Sequence, residues 1–145
     1  MRFWDTSAVV PLLVDEPETA RVKRLAQEDQ AIAVWWTTRT ECASAIARLR
    51  REAKIDAADE KRTKRLLQQL AAAWTEIAPG KRLRDRAERL VSVHPLRAAD
   101  AFQLAAALVW ARGKTTGRGL VSFDDRLREA AAREGFDVLP ADERS

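Results

Sequence analysis

The chain of 145 residues has almost none of the residues that build soft-metal sites and covalent cross-links. Cys42 is its only cysteine and His94 its only histidine. A disulfide framework and the usual structural zinc sites need several such ligands, so both are excluded. A Cys–His or Ser–His catalytic pair would have to rest on His94 alone. Cys42 reads as an inert buried thiol, and His94, just before Pro95, as a loop residue. Long apolar runs are missing too. The longest, Ala8–Val14 and Leu104–Ala111, fall well short of the ~20 residues that span a bilayer. The opening Met1-Arg2-Phe3-Trp4-Asp5 has no signal-peptide pattern, so a cytoplasmic protein is the expectation. Internal repeats, low-complexity tracts and linkers are also lacking, and residues 1–145 read as one domain. A chain of this length buries roughly two-thirds of its unfolded surface, enough for a core without metal or disulfides.

What is present is a globular mixture, 46% hydrophobic and 33% charged, which rules out a disordered chain. Short apolar runs alternate with longer amphipathic ones. Strands are expected at Arg2–Asp5, Ala31–Trp36, Thr75–Ala78, Leu120–Phe123 and Phe136–Leu139. Helices are expected at Ala8–Val14, Pro17–Asp29, Thr38–Lys54, Asp56–Trp74, Lys81–Ser92, Arg97–Arg112 and Asp125–Glu134. Thr38-x-x-Glu41 has the form of a capping box, and Asp56 is a candidate cap. Leu66, Leu67 and Leu70 fall together on what should be the inner face of their helix. Strands alternating with helices predict an α/β fold with a parallel sheet covered on both faces, an α/β/α sandwich of three layers.

The acidic residues stand where strands hand over to helices. Asp5 ends the first strand, Glu41 and Asp100 lie in helix first turns, and Asp124 and Asp125 follow the strand Leu120–Phe123. Taken singly, each has a plain explanation as a helix cap or a charge answering the helix dipole. In an open parallel sheet, however, residues beyond the strand C-termini gather at one rim. Carboxylates forced together there repel and lose hydration, and a divalent cation removes that cost. Oxygen ligands without nearby His or Cys suit Mg²⁺ or Mn²⁺ rather than Zn²⁺.

Four stretches carry a family resemblance: FWDTSAVVPLLVDEPE, TECASAIARL, LRAADAFQLAAAL and LVSFDDRLREAA. In this order and spacing the chain resembles the PIN-domain nucleases, and among them the VapC toxins of bacterial toxin–antitoxin pairs. The resemblance implies a three-layer fold around a parallel sheet and metal-dependent endoribonuclease activity with Mg²⁺ (or Mn²⁺) as cofactor. It implies Asp5, Glu41, Asp100 and Asp124 as the four acids that hold metal and catalyse. It also implies neutralisation by a cognate antitoxin, and a homodimer. Asp125 competes with Asp124 for the fourth place, and Thr6 and Ser7 add hydroxyls that could support the site. The alternative is an inactive relative that only binds RNA or protein. An aspartyl phosphotransferase would want Asp-x-Asp after the first strand, and position 7 is Ser.

Basic residues supply candidate RNA contacts. From Arg39 to Arg65 nine basic residues face five acidic ones, an excess equal to the +4 of the whole chain. Such a segment suits a polyanion, or a solvated helix face, or a docked antitoxin. Arg97 precedes Asp100 by three positions, and Lys114 and Arg118 flank the loop GKTTGRG. That loop is not a Walker motif, because the glycine required five positions before Gly113 is Leu108. Trp35 and Trp36 should face opposite sides of a strand, one in the core and the other beneath a covering helix, against a base or on a partner. Trp74 and Trp110 read as core or dimer residues.

Overall fold

The computed structural model describes residues 1–142. Five strands form one sheet, ordered β3-β2-β1-β4-β5, with every neighbouring pair parallel. They are β1 (Arg2–Trp4), β2 (Ile32–Trp35), β3 (Thr75–Ile77), β4 (Gly119–Val121) and β5 (Asp137–Leu139). Seven helices connect and cover them: α1 (Thr6–Leu13), α2 (Thr19–Glu28), α3 (Thr38–Arg51), α4 (Ala57–Ala73), α5 (Lys81–Val93), α6 (Ala98–Trp110) and α7 (Asp125–Arg133). The expected three layers are present.

Strand alternation decides which residues feed which layer. Phe3, Ala33, Trp35 and Leu120 point to one face, where they pack with Leu90 of α5, Leu104 of α6 and Leu127 of α7. Trp4, Ile32, Val34 and Val121 point to the other, against Val9 of α1, Val22 of α2, Ile46 of α3 and Leu67 of α4. The neighbours Phe3 and Trp4 are thus both fully buried, which explains why β1 is apolar on both faces. α6 is buried along almost its whole length, and its Ala101, Ala105, Ala106 and Ala107 let it lie close against the sheet.

β1 is central. The chain leaves it on one side for β2 and β3, then returns to its other side for β4 and β5. The strand order therefore reverses direction at β1, and the crevice beyond the C-termini of β1 and β4 is a topological switch point, where open α/β sheets bind ligands.

Several expectations change in detail. Asp56 does form a capping box, with Asp59 as its partner, at the start of α4. The Thr38–Glu41 box does not form: Thr37 is the N-cap of α3 without a capping side-chain bond, and Thr38 is buried inside the helix. Leu66 is 41% exposed, because Thr63 and Leu67 take the inner face of α4. Trp36 is 54% exposed rather than covered by a helix, whereas Trp35 is buried and stacks on Phe102 at 5.8 Å. Trp74 is buried in the core, and Trp110 packs at its edge against Phe3 at 6.3 Å. His94 is no loose loop residue. It is buried at the end of α5, and its Nε2 lies 2.7 Å from Glu134, which Arg89 also bonds at 2.8 Å. Among the described residues no helix is long and apolar enough to cross a membrane.

Candidate active site

Asp5 follows β1 at the switch point and is 5% exposed. Both strong bonds to it come from side-chain hydroxyls: Ser7 Oγ donates to Oδ2 at 2.6 Å and Ser122 Oγ at 3.0 Å. The Ser7 Oγ in turn accepts from the Phe123 backbone N–H at 2.9 Å, and Ser122 Oγ from that of Asp124 at 3.1 Å. These links bind the end of β4 to the end of β1 and hold Asp5 in one orientation. Burial nevertheless pushes its carboxyl up to about 6, further raised by the Glu41 charge and only partly offset by the two serine bonds.

Glu41 comes from the first turn of α3 and has both oxygens engaged. Thr37 Oγ1 donates to Oε1 at 2.6 Å and Thr6 Oγ1 to Oε2 at 2.7 Å. Gln103 Nε2, buried on α6, donates to the Thr6 and Thr38 hydroxyls at 3.0 and 3.1 Å. One amide group therefore ties α1, α3 and α6 together behind the glutamate. The Oε1 of Gln103 has no partner among the described residues, a buried cost the fold carries at this point.

Asp100 lies in the first turn of α6. Burial raises its pKa, the Asp124 charge raises it next, Arg97 lowers it, and Glu41 raises it again. Asp124 is the N-cap of α7, its Oδ1 accepting from the Leu127 N–H at 2.9 Å, so the plain capping role is real and uses one of its two oxygens. Asp125 is exposed beside it. Arg97, Asp100, Asp124, Asp125 and Arg126 line one open cleft of about 470 Å³. Cys42, behind Glu41 and Asp5, has its thiol pushed up to about 12 by burial and those two charges, so it stays protonated and inert.

The four acids named from the sequence thus stand at the same rim of the sheet, where the Glu41 charge acts on Asp5 and the Asp124 and Glu41 charges act on Asp100. Among the described residues, however, no group of three or more His, Cys, Asp or Glu side chains closes into a metal-holding arrangement. The hydrogen bonds give the reason: Asp5 is turned to serines, Glu41 to threonines and Asp124 to a backbone N–H. Arg97 lines this cleft, and Arg39 lies exposed in the first turn of α3. Lys114 and Arg118 do not reach it. Their loop joins the C-terminus of α6 to the start of β4, at the opposite end of the sheet, where Arg118 stacks on Trp110 at 5.3 Å. Neither belongs to this site. Sequence reading missed Gln103, Ser122 and Arg126. A glutamine inside the apolar run FQLAAAL and a serine ending the strand LVS were the available signals.

The PIN domain family profile matches residues 2–133. The chain belongs to the PIN domain family. Solved structures share this PIN fold at low identity. A chain of a toxin–antitoxin complex from Klebsiella pneumoniae superposes with a TM-score of 0.63 at 15% identity, covering 86% of this chain and 87% of that one. FitAcB from Neisseria gonorrhoeae gives 0.67 at 16%, covering 95% and 96%. PAE2754 from Pyrobaculum aerophilum gives 0.64 at 20%, covering 94% and 87%. No curated protein is matched by sequence.

Proposed function

We propose that this PIN-domain protein is a metal-dependent endoribonuclease, the toxin of a toxin–antitoxin pair, restrained by a protein antitoxin and self-associating as a homodimer. The observation that carries the chemistry is Asp5: a buried carboxyl at the switch point, raised to about 6, with Glu41 adding to the repulsion. A fold that keeps like charges together at that cost suits a site whose ligand is a cation. The donor set fits a hard divalent ion, since carboxylates and hydroxyls face the rim while His94 and Cys42 are engaged elsewhere or inert. One similar fold belongs to a toxin–antitoxin complex, which supports the biological setting.

In this reading Asp5, Asp100 and Asp124 would hold one or two Mg²⁺ or Mn²⁺ ions, which would supply Lewis-acid stabilisation of phosphoryl charge. Glu41, fixed by Thr6 and Thr37, orients the attacking water and accepts its proton. Arg97 and Arg126 steady the phosphate from the cleft wall. Water adds to phosphorus in line as the bond to the 3′ oxygen breaks, leaving a 5′ phosphate and a 3′ hydroxyl. Asp124 is taken as the fourth acid in this reading, supported by its place between β4 and α7 as the N-cap and by its charge raising the pKa of the neighbouring Asp100.

The test is incubation of purified protein with RNA in Mg²⁺, in Mn²⁺ and in EDTA. Cleavage should need the cation and vanish in Asp5→Asn and Asp100→Asn. RNA binding without cleavage in any cation would instead mark an inactive binding module.

A further inference from the structure

A second cavity, distinct from the Asp100–Asp124 cleft, includes Glu41 in its lining. It has a volume of about 660 Å³ and is lined in part by the stacked pair Trp35 and Phe102, 5.8 Å apart and 5° from coplanar, and by Leu83. Trp36 also lines it and remains 54% exposed, with its backbone N–H fixed to Ile77 O at 3.1 Å. Lys81 and Arg84, from the first turn of α5, contribute two cations to the lining, and Glu41 is its one acidic residue. Ala99 lines both this cavity and the cleft of Asp100 and Asp124. The two openings therefore adjoin at Ala99, and Glu41 belongs to the cavity's own lining.

We propose that this cavity is a subsite for one unpaired nucleobase of single-stranded RNA, stacked on Trp36, with the adjoining phosphates held by Lys81 and Arg84. The proposal rests on the endoribonuclease reading for its substrate and adds the residue that positions it. A lone exposed apolar side chain is ordinary, but Trp36 is continuous with the apolar lining of Trp35, Leu83, Phe102 and Pro79, and a contiguous apolar patch of this kind marks a contact. Here the exposed ring adjoins two cations and opens on the candidate reaction centre, which is the pattern of single-strand binding: π-faces for bases, cations for the backbone. A protein helix seated on Trp36 would gain from Lys81 and Arg84 only with acidic side chains placed opposite both. A phosphodiester strand gains from each.

The experiment measures binding of a fluorescein-labelled ten-nucleotide single-stranded RNA to the Asp5→Asn protein in Mg²⁺, so that cleavage does not intrude. Adding Trp36→Ala should weaken binding about tenfold or more, the range seen for removal of one base-stacking ring. Trp36→Phe should restore most of the affinity, and Leu66→Ala, which removes another exposed apolar side chain, on α4, should change nothing. Lys81→Ala and Arg84→Ala should each flatten the dependence of log Kd on log salt, by about 0.7 for every phosphate no longer neutralised. Thermal midpoints of all variants should agree, since Trp36 is largely outside the core. Unchanged affinity in Trp36→Ala, or no RNA binding to the parent protein, overturns the proposal. In active protein the same substitution should raise KM with kcat little altered. Cleavage with an unaltered KM would overturn the subsite while leaving the nuclease reading intact. Trp36-dependent binding by a chain that never cleaves would do the reverse.

Discussion

Replacing Asp5 by Asn should stabilise the protein while abolishing its chemistry. Asp5 is buried, and its carboxyl sits at about 6 against an ordinary value of 3.8. For an acid raised on folding, the contribution to stability is fully present below the unfolded pKa and lost as pH rises through the folded one. Its ionised form at neutral pH therefore works against folding. A gap of about two pH units at 1.36 kcal/mol each gives about 3 kcal/mol. Asn removes that term and keeps the two serine hydroxyl bonds, because both serines donate to the single oxygen Oδ2, which an amide oxygen can replace. At this chain length the gain corresponds to about 6–12 °C in Tm. Calorimetry or urea unfolding of both proteins should show the difference at pH 7 and show it shrinking towards zero by pH 4. Divalent cations should raise the Tm of the wild type and not that of the variant. Equal stabilities at pH 7, or a difference that does not change with pH, would refute the reasoning.

Other substitutions separate the roles at the rim. Asp124→Asn keeps a residue able to cap α7 through Leu127, so stability should move by only about a few tenths of a kcal/mol while cleavage is lost; Asp125→Asn should leave both unchanged. Gly135 adopts φ +99°, and a Cβ there would lie 2.4 Å from Thr115 Oγ1, so Gly135→Ala should cost about 2 kcal/mol in urea unfolding with no specific effect on RNA cleavage. Burial raises Glu134, but hydrogen bonds from Arg89 and His94 outweigh it and hold its pKa below the usual value. Its stabilisation is present at neutral pH and lost as pH falls through that lowered pKa, so Glu134→Gln should flatten the acid limb of the stability profile.

The sheet was legible because each strand is a short apolar run between amphipathic ones, and parallel order followed from helices between them. The carboxylate rim was legible because Asp5, Glu41, Asp100 and Asp124 each stand just past a strand or at a helix start. Periodicity assigns a side chain to a face, but it does not say what lies over that face. Trp36 follows the last residue of β2 and escapes the covering layer, while Leu66 lies one position off the buried stripe of α4. Spacing also gives no partner across the sheet: Glu41 looks like half of a capping box until α1 brings Thr6 against it. Gln103 looks like a helix residue among alanines, and only the packing of α6 beside α1 and α3 turns it into a link behind Glu41. Lys114 and Arg118 resemble site residues because sequence does not mark which end of the sheet a loop joins until the helix before it is given a direction.

Under the proposed function, Asp5, Asp100 and Asp124 share one hard-cation site with Glu41 beside it. Crystals grown with Mn²⁺ and measured by anomalous diffraction test it most directly. A manganese peak bounded by Asp5, Asp100 and Asp124, absent in Asp100→Asn, is the expected result. Manganese bound only elsewhere on the molecule, with RNA still cleaved in EDTA, would contradict it.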